Sequence, residues 1–226
     1  FMGQQGVAYM AHFGGLLAGG LLMGLYLQLR RKESVVEVAA RDKQQAQAQS
    51  AALAAAVQRA QKHTDALAFE LAAPAWRQAA KLAPTDAAIL RAWFESARHA
   101  PASEDFHRAA RAIFKLPANT EALRQLQHHS WQTYMDRARP APRISDNSLH
   151  ALARSFVRLG AWDDAQKICQ QLESAADHPH WPATLALVAN GLAKAGRLDD
   201  ARRWLPALQR AAPQEPVTRW LSQAST

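Results

Sequence analysis

His12 is the residue with the most chemistry to offer. It lies in "VAYMAHFGGLLAGGLLMGLY", Val7–Tyr26, an apolar stretch that also holds five glycines. An ionisable ring in such a setting is costly to bury and by default marks function. Taken alone it reads as a functional group, as a hydrogen-bonding partner for a neighbouring helix, or as a haem ligand. A haem site would need partner histidines, which this stretch lacks.

Spacing sharpens the picture. On a helix, His12, Gly15 and Gly19 stand at i, i+3 and i+7, within about 60° of one face. Gly14, Gly20 and Gly24 fall elsewhere. Two glycines one turn apart let another helix backbone come very close, which presses the imidazole against whatever that helix presents.

The remaining candidates are weaker. The other eight histidines lie after the apolar stretch, and only His128-His129 and His178-Pro179-His180 are close groupings. Adjacent helical residues point about 100° apart, and neither group has a carboxylate or cysteine at metal-ligand spacing. Surface or loop histidines are expected there, and neither a metal nor a cofactor site. Cys169, the only cysteine, falls where a repeat would place a small core residue, so a reactive thiol is not expected. The seven tryptophans, from Trp76 to Trp220, are expected to fill a helical core.

Three elements would position these groups. Residues 1–29 carry no charge. The run 7–29 would be about 34 Å long as a helix, enough to cross a bilayer core. Arg30-Arg31-Lys32 follow at once, so the positive-inside rule puts that end in the cytoplasm. His12 then lies about 7–8 Å below the outer surface, within reach of water. Residues 33–64 lack Pro and Gly and are rich in Ala and Gln, which predicts a long helical stalk. From 65 to 226, short helical segments alternate with Pro and Gly. The expected fold is all-α: one transmembrane helix (1–32), a stalk (33–64) and a repeat domain (65–226).

The repeat is visible in the last segments. "LARSFVRLGAWDDAQKICQQL" from Leu152 and "VANGLAKAGRLDDARRWLPAL" from Val188 align at a spacing of 36. The alignment pairs Ala153 with Ala189, Gly160 with Gly196, Asp164 with Asp200 and Ala165 with Ala201. Phe156 and Leu192 share the large apolar slot. Small residues let paired helices approach, and glycine makes the turn between them. This resembles the tetratricopeptide pattern, whose period is about 34 residues, with an insertion expected around "ADHPHWP". The segments "AWRQAAKLAP", ending at Pro84, and "HRAARAIFKLP", ending at Pro117, look like second helices of earlier copies.

The formal net charge is +8 at pH 7. Lys and Arg are scattered among Asp and Glu with no basic stripe interleaved with aromatics, so nucleic acid is a poor fit as a partner. The charges follow the apolar run, where a signal peptide would carry them before it. The chain opens on Phe1, and the expectation is a processed product or part of something longer.

"AHFGGLLAGG", with His12 followed by Gly15 and Gly19, closely resembles the last core transmembrane helix of the rhomboid intramembrane serine proteases. The resemblance covers about residues 1–32. It implies that His12 is the general base of a Ser–His dyad, with Gly15 and Gly19 packing against the helix that carries a Gly-x-Ser-Gly serine. Substrates would be transmembrane proteins in the lipid bilayer. The parent would be an integral protein, of the inner membrane in bacteria, with its repeat domain in the cytoplasm and binding a protein or peptide partner.

One departure is large. The first serine is Ser34, about 33 Å along the helix from His12 and at the wrong membrane face. These residues alone would be inactive. A serine-less family member, or a non-enzymatic membrane-anchored scaffold, stays open on the sequence.

Overall fold

The computed structural model describes residues 23, 26, 28, 38, 40–173 and 179–224. His12, Gly15 and Gly19, with most of the 7–29 run and residues 33–37 and 39 of the expected stalk, lie outside them. The described residues are helical with no strand, so the fold is all-α. Among them, no helix is long and apolar enough to cross a membrane.

The chain divides into two units, 1–52 and 53–226. In the first, residues 40–52 are helical and exposed. Ala and Gln hold that helix by propensity rather than by packing.

The second unit begins inside the expected stalk. Its first helix, α1 (53–65), buries Ala56 and Ala60 in the core. At its end, Thr64 Oγ1 donates to the Ala60 carbonyl at 3.0 Å and accepts the Trp76 indole N–H at 2.9 Å. A thin alanine stripe is therefore enough to dock a helix when a neighbour supplies large side chains.

Ten further helices follow: α2 (Phe69–Leu82), α3 (Ala87–Ala97), α4 (Glu104–Phe114), α5 (Glu121–Arg137), α6 (Asp146–Leu159), α7 (Trp162–Glu173), α8 (Trp181–Lys194), α9 (Leu198–Arg203), α10 (Leu205–Ala211) and α11 (Pro216–Gln223). Side chains that accept from the free N–H groups of the first turn start four of them: Asp86 for α3, Ser103 for α4, Thr120 for α5 and Ser145 for α6. Short connections fold most of these helices back on their predecessors.

Helices α2, α4, α6 and α8 also touch in series and form one layer. An Arg77–Asp105 ion pair at 3.1 Å ties α2 to α4. The segments ending at Pro84 and Pro117 thus share a layer with α6 and α8, the first helices of the later copies, which corrects their reading as second helices. A proline after a helix stops it in either layer, so the sequence could not tell the two apart.

The two copies at spacing 36 adopt the same local structure. Ala153, Ala189, Ala165, Ala201, Phe156 and Leu192 are all fully buried. Gly160 and Gly196 have φ of 75° and 77°, a left-handed conformation that favours glycine. Behind each glycine the next N–H reaches back five residues: Ala161 to the Phe156 carbonyl and Arg197 to the Leu192 carbonyl, both at 2.9 Å. This is the Schellman closure of a helix C-terminus.

The copies differ afterwards. The helix α7 is continuous, whereas its counterpart breaks at Trp204 into α9 and α10, with Pro206 in the first turn of α10. Trp220 departs from the expected core role. It is 46% exposed on α11, while Trp76, Trp93, Trp131, Trp181 and Trp204 are buried and Trp162 is half-buried.

Candidate functional site

Among the described residues of the second unit, polar side chains meet in several places. The first joins α5 to α7. His128 on α5 places Nε2 at 2.7 Å from Asp164 Oδ2 on α7. Gln132 donates to the same oxygen at 3.1 Å, and Lys167 reaches Oδ1 at 2.9 Å. Burial pushes the Asp164 carboxyl up, but the hydrogen bonds from Lys167, His128 and Gln132 outweigh it and leave it below the ordinary carboxylate value.

His128 was expected at the surface without a carboxylate, and its partner lies 36 residues away, so no local spacing could reveal it. Neighbouring His129 points outward, with Nε2 at 3.9 Å from Glu95 Oε1. A His–Asp pair orients an imidazole as a hydrolase would, but the partners of His128 here, Asp164 and Gln132, are not nucleophiles. The pair fastens helices together.

The second place is buried. His107 on α4 lies with Nδ1 at 2.6 Å from the Tyr134 hydroxyl on α5 and Nε2 at 3.2 Å from the Arg139 carbonyl. A carbonyl only accepts, so Nε2 carries the proton and Nδ1 accepts from Tyr134. The Tyr134 oxygen in turn accepts the Arg143 backbone N–H at 2.9 Å. Burial raises the Tyr134 phenol above its ordinary value, opposed by that N–H. Both rings are satisfied, and the arrangement pins the connection between α5 and α6.

The expected surface histidines also meet other elements. His180 stacks on His150 with centroids 4.9 Å apart, and His150 Nδ1 lies 2.6 Å from Thr184 Oγ1. That hydroxyl donates to the His180 carbonyl, so His150 Nδ1 is the donor to it. His178 lies outside the described residues. No group of three His, Cys, Asp or Glu side chains that could hold a metal occurs among the described residues. Cys169 is fully buried, and burial, with Glu173 nearby, pushes its thiol up to about 12. That thiol is inert at neutral pH.

The third place is a groove of about 730 Å³ between the end of α4, the connection to α5 and one face of α6. Lys115, Arg154 and Arg158 line it, together with Asn119 and Asn147, and no carboxylate does. Arg154 and Arg158 are one turn apart and share a face of α6. The groove wall contains Gln127, whose Nε2 donates to the Leu116 carbonyl at 2.9 Å and the Ile113 carbonyl at 3.4 Å. Those two bonds reach carbonyls at and just beyond the end of α4 and settle which way the amide faces. Gln127 Oε1 and Ser155 Oγ, also in the wall, are buried without a partner. An unsatisfied buried polar atom costs about 1–3 kcal/mol. The sequence reading missed this groove, since its cations come from segments some forty residues apart and look scattered along the chain.

These features define an all-α protein of paired helices whose second unit offers a basic groove and no catalytic constellation among its described residues. No family model, curated protein or solved structure matches the chain.

Proposed function

We propose that this chain carries the general-base helix of a rhomboid-type intramembrane serine endopeptidase, followed by a tetratricopeptide-like domain that recruits a protein partner. The observation that carries the protease reading is "AHFGGLLAGG" at one end of an uncharged run that closes on Arg30-Arg31-Lys32. Histidine, glycine spacing, depth and topology agree there, which is more specific than a lone pair of glycines.

In this reading the nucleophile is a serine on another membrane helix, supplied from outside these 226 residues. His12 takes the serine proton as the oxygen attacks the scissile carbonyl, and later gives a proton to the leaving amine. No acidic third member holds the ring, so packing against the Gly15 and Gly19 face sets its orientation. The matched glycine turns at 160 and 196, with the same buried small residues around them, support the tetratricopeptide-like reading of the second unit.

The test uses the protein in its complete natural form with a transmembrane reporter substrate. His12→Ala should abolish cleavage with expression unchanged, and retained cleavage would remove His12 from the mechanism.

A second reading is a membrane-anchored scaffold without peptidase activity. The groove lined by Lys115, Arg154 and Arg158 favours it, because it provides binding without chemistry. Wild-type protein that leaves the reporter uncut, and is not labelled by a fluorophosphonate serine probe, would decide against the peptidase and for a non-enzymatic chain, whether scaffold or serine-less family member.

A further inference from the structure

The groove beside α6 combines three observations that point to one kind of ligand. Its cations, Lys115, Arg154 and Arg158, have no ion-pair partner among the described residues, and no Asp or Glu lines it. Elsewhere in the unit arginines are commonly paired, as in Arg77–Asp105, Arg108–Glu104 and Arg197–Asp163. Second, the wall holds a hydrogen-bond acceptor, Gln127 Oε1, on a residue only 2% exposed and with no partner. Its amide cannot simply turn over to use that oxygen, because Nε2 is held by two carbonyls. Third, the volume of about 730 Å³ lies within the range of pockets that enclose ligands.

We propose that this groove docks an extended acidic peptide. Side-chain carboxylates lie against Lys115, Arg154 and Arg158, and a backbone N–H of the peptide bonds Gln127 Oε1, with a small shift of the wall admitting it. Charge complementarity selects the peptide and speeds its arrival. Nucleic acid fits less well. Phosphate oxygens bring no donor for Oε1, and the one aromatic residue lining the groove, Phe114, is 1% exposed and gives no platform for bases. The inference rests on the reading of the second unit as a partner-binding domain and names the chemistry of that partner.

Fluorescence anisotropy on the full chain in detergent tests it, using labelled octaglutamate, octalysine, a Gly/Ser octapeptide and an eight-nucleotide oligo-dT. Octaglutamate should bind, and the double variant Arg154→Glu, Arg158→Glu should weaken it at least tenfold. A control with the same change in net charge, Lys81→Glu with Arg219→Glu, should shift it less than twofold. Both pairs are exposed, so neither should disturb folding.

Equal loss in both double variants would reduce the effect to overall charge and overturn the site. Oligo-dT bound as tightly and lost with the groove variant would replace the peptide with a nucleic acid. Binding of octalysine or the Gly/Ser peptide in place of octaglutamate would overturn the acidic ligand and leave the partner-binding reading standing. Binding of no peptide at all would overturn both.

Discussion

The Nδ1 atom of His107 lies 2.6 Å from the Tyr134 hydroxyl oxygen, which also receives the Arg143 backbone N–H. One phenol thus satisfies a buried imidazole and a loop amide from two different elements. Tyr134→Phe removes the oxygen and strands both, at about 1–3 kcal/mol each. Urea unfolding should show a lower midpoint, and hydrogen exchange should show the Arg143 amide losing protection. A variant as stable as wild type, with that amide still protected, would mean the hydroxyl is dispensable.

Gly191 answers to a different constraint. A Cβ built on it would stand 2.7 Å from Trp162 Cζ3 and 2.9 Å from Val157 Cγ1. Gly191→Ala should destabilise by about 1–3 kcal/mol through overpacking, and a smaller side chain at 162 should recover part of the loss. Gly196→Ala meets open space but must hold a φ of 77°, so its cost of about 1 kcal/mol should not respond to changes at 162. Thermal denaturation of the three single and two double variants separates the two cases.

Asp164 gives stability a pH dependence of defined sign. Its folded carboxyl titrates below the ordinary value of 3.8, so the native state favours the ionised form. The contribution is complete well above that value and fades as pH falls through the lower folded pKa. Asp164→Asn should therefore unfold at lower denaturant than wild type at pH 7, by about 1–3 kcal/mol. The gap should narrow as the solution is acidified. A gap that widened towards acid would reverse the assignment.

Cys169 should be silent towards thiol reagents. With the thiol buried and pushed up to about 12, labelling by a disulfide reagent at pH 8 should proceed only as fast as the helices around it open. Adding urea should bring the rate up in step with unfolding. Stoichiometric labelling within seconds in the native state would show that α7 does not cover it.

Much of the architecture could be read from residue types. The glycines at 160 and 196, at a fixed spacing and between runs with helical periodicity, point to turns that only a left-handed residue makes, and both adopt it. Cys169 could be assigned to the core from its place in the repeat. Trp220 could not be placed, because a tryptophan on the last described helix has the same local pattern as one inside the stack. The helix over 53–64 reads as stalk by composition, since its burial depends on Trp76 and its neighbours rather than on its own alanines.

The sequence by itself determined the helical character, the helix ends and the glycine turns, because these follow from backbone propensity and capping within a few residues. It also supplied the only sign of proteolytic chemistry, in His12, Gly15 and Gly19, which lie outside the described residues. The tertiary structure decided which charges meet. It joined His128 to Asp164, closed His107 onto Tyr134, and gathered Lys115 with Arg154 and Arg158 around a wall that holds an unsatisfied oxygen. Such pairings depend on how layers of helices stack across tens of residues, and no local pattern of residue types encodes that distance.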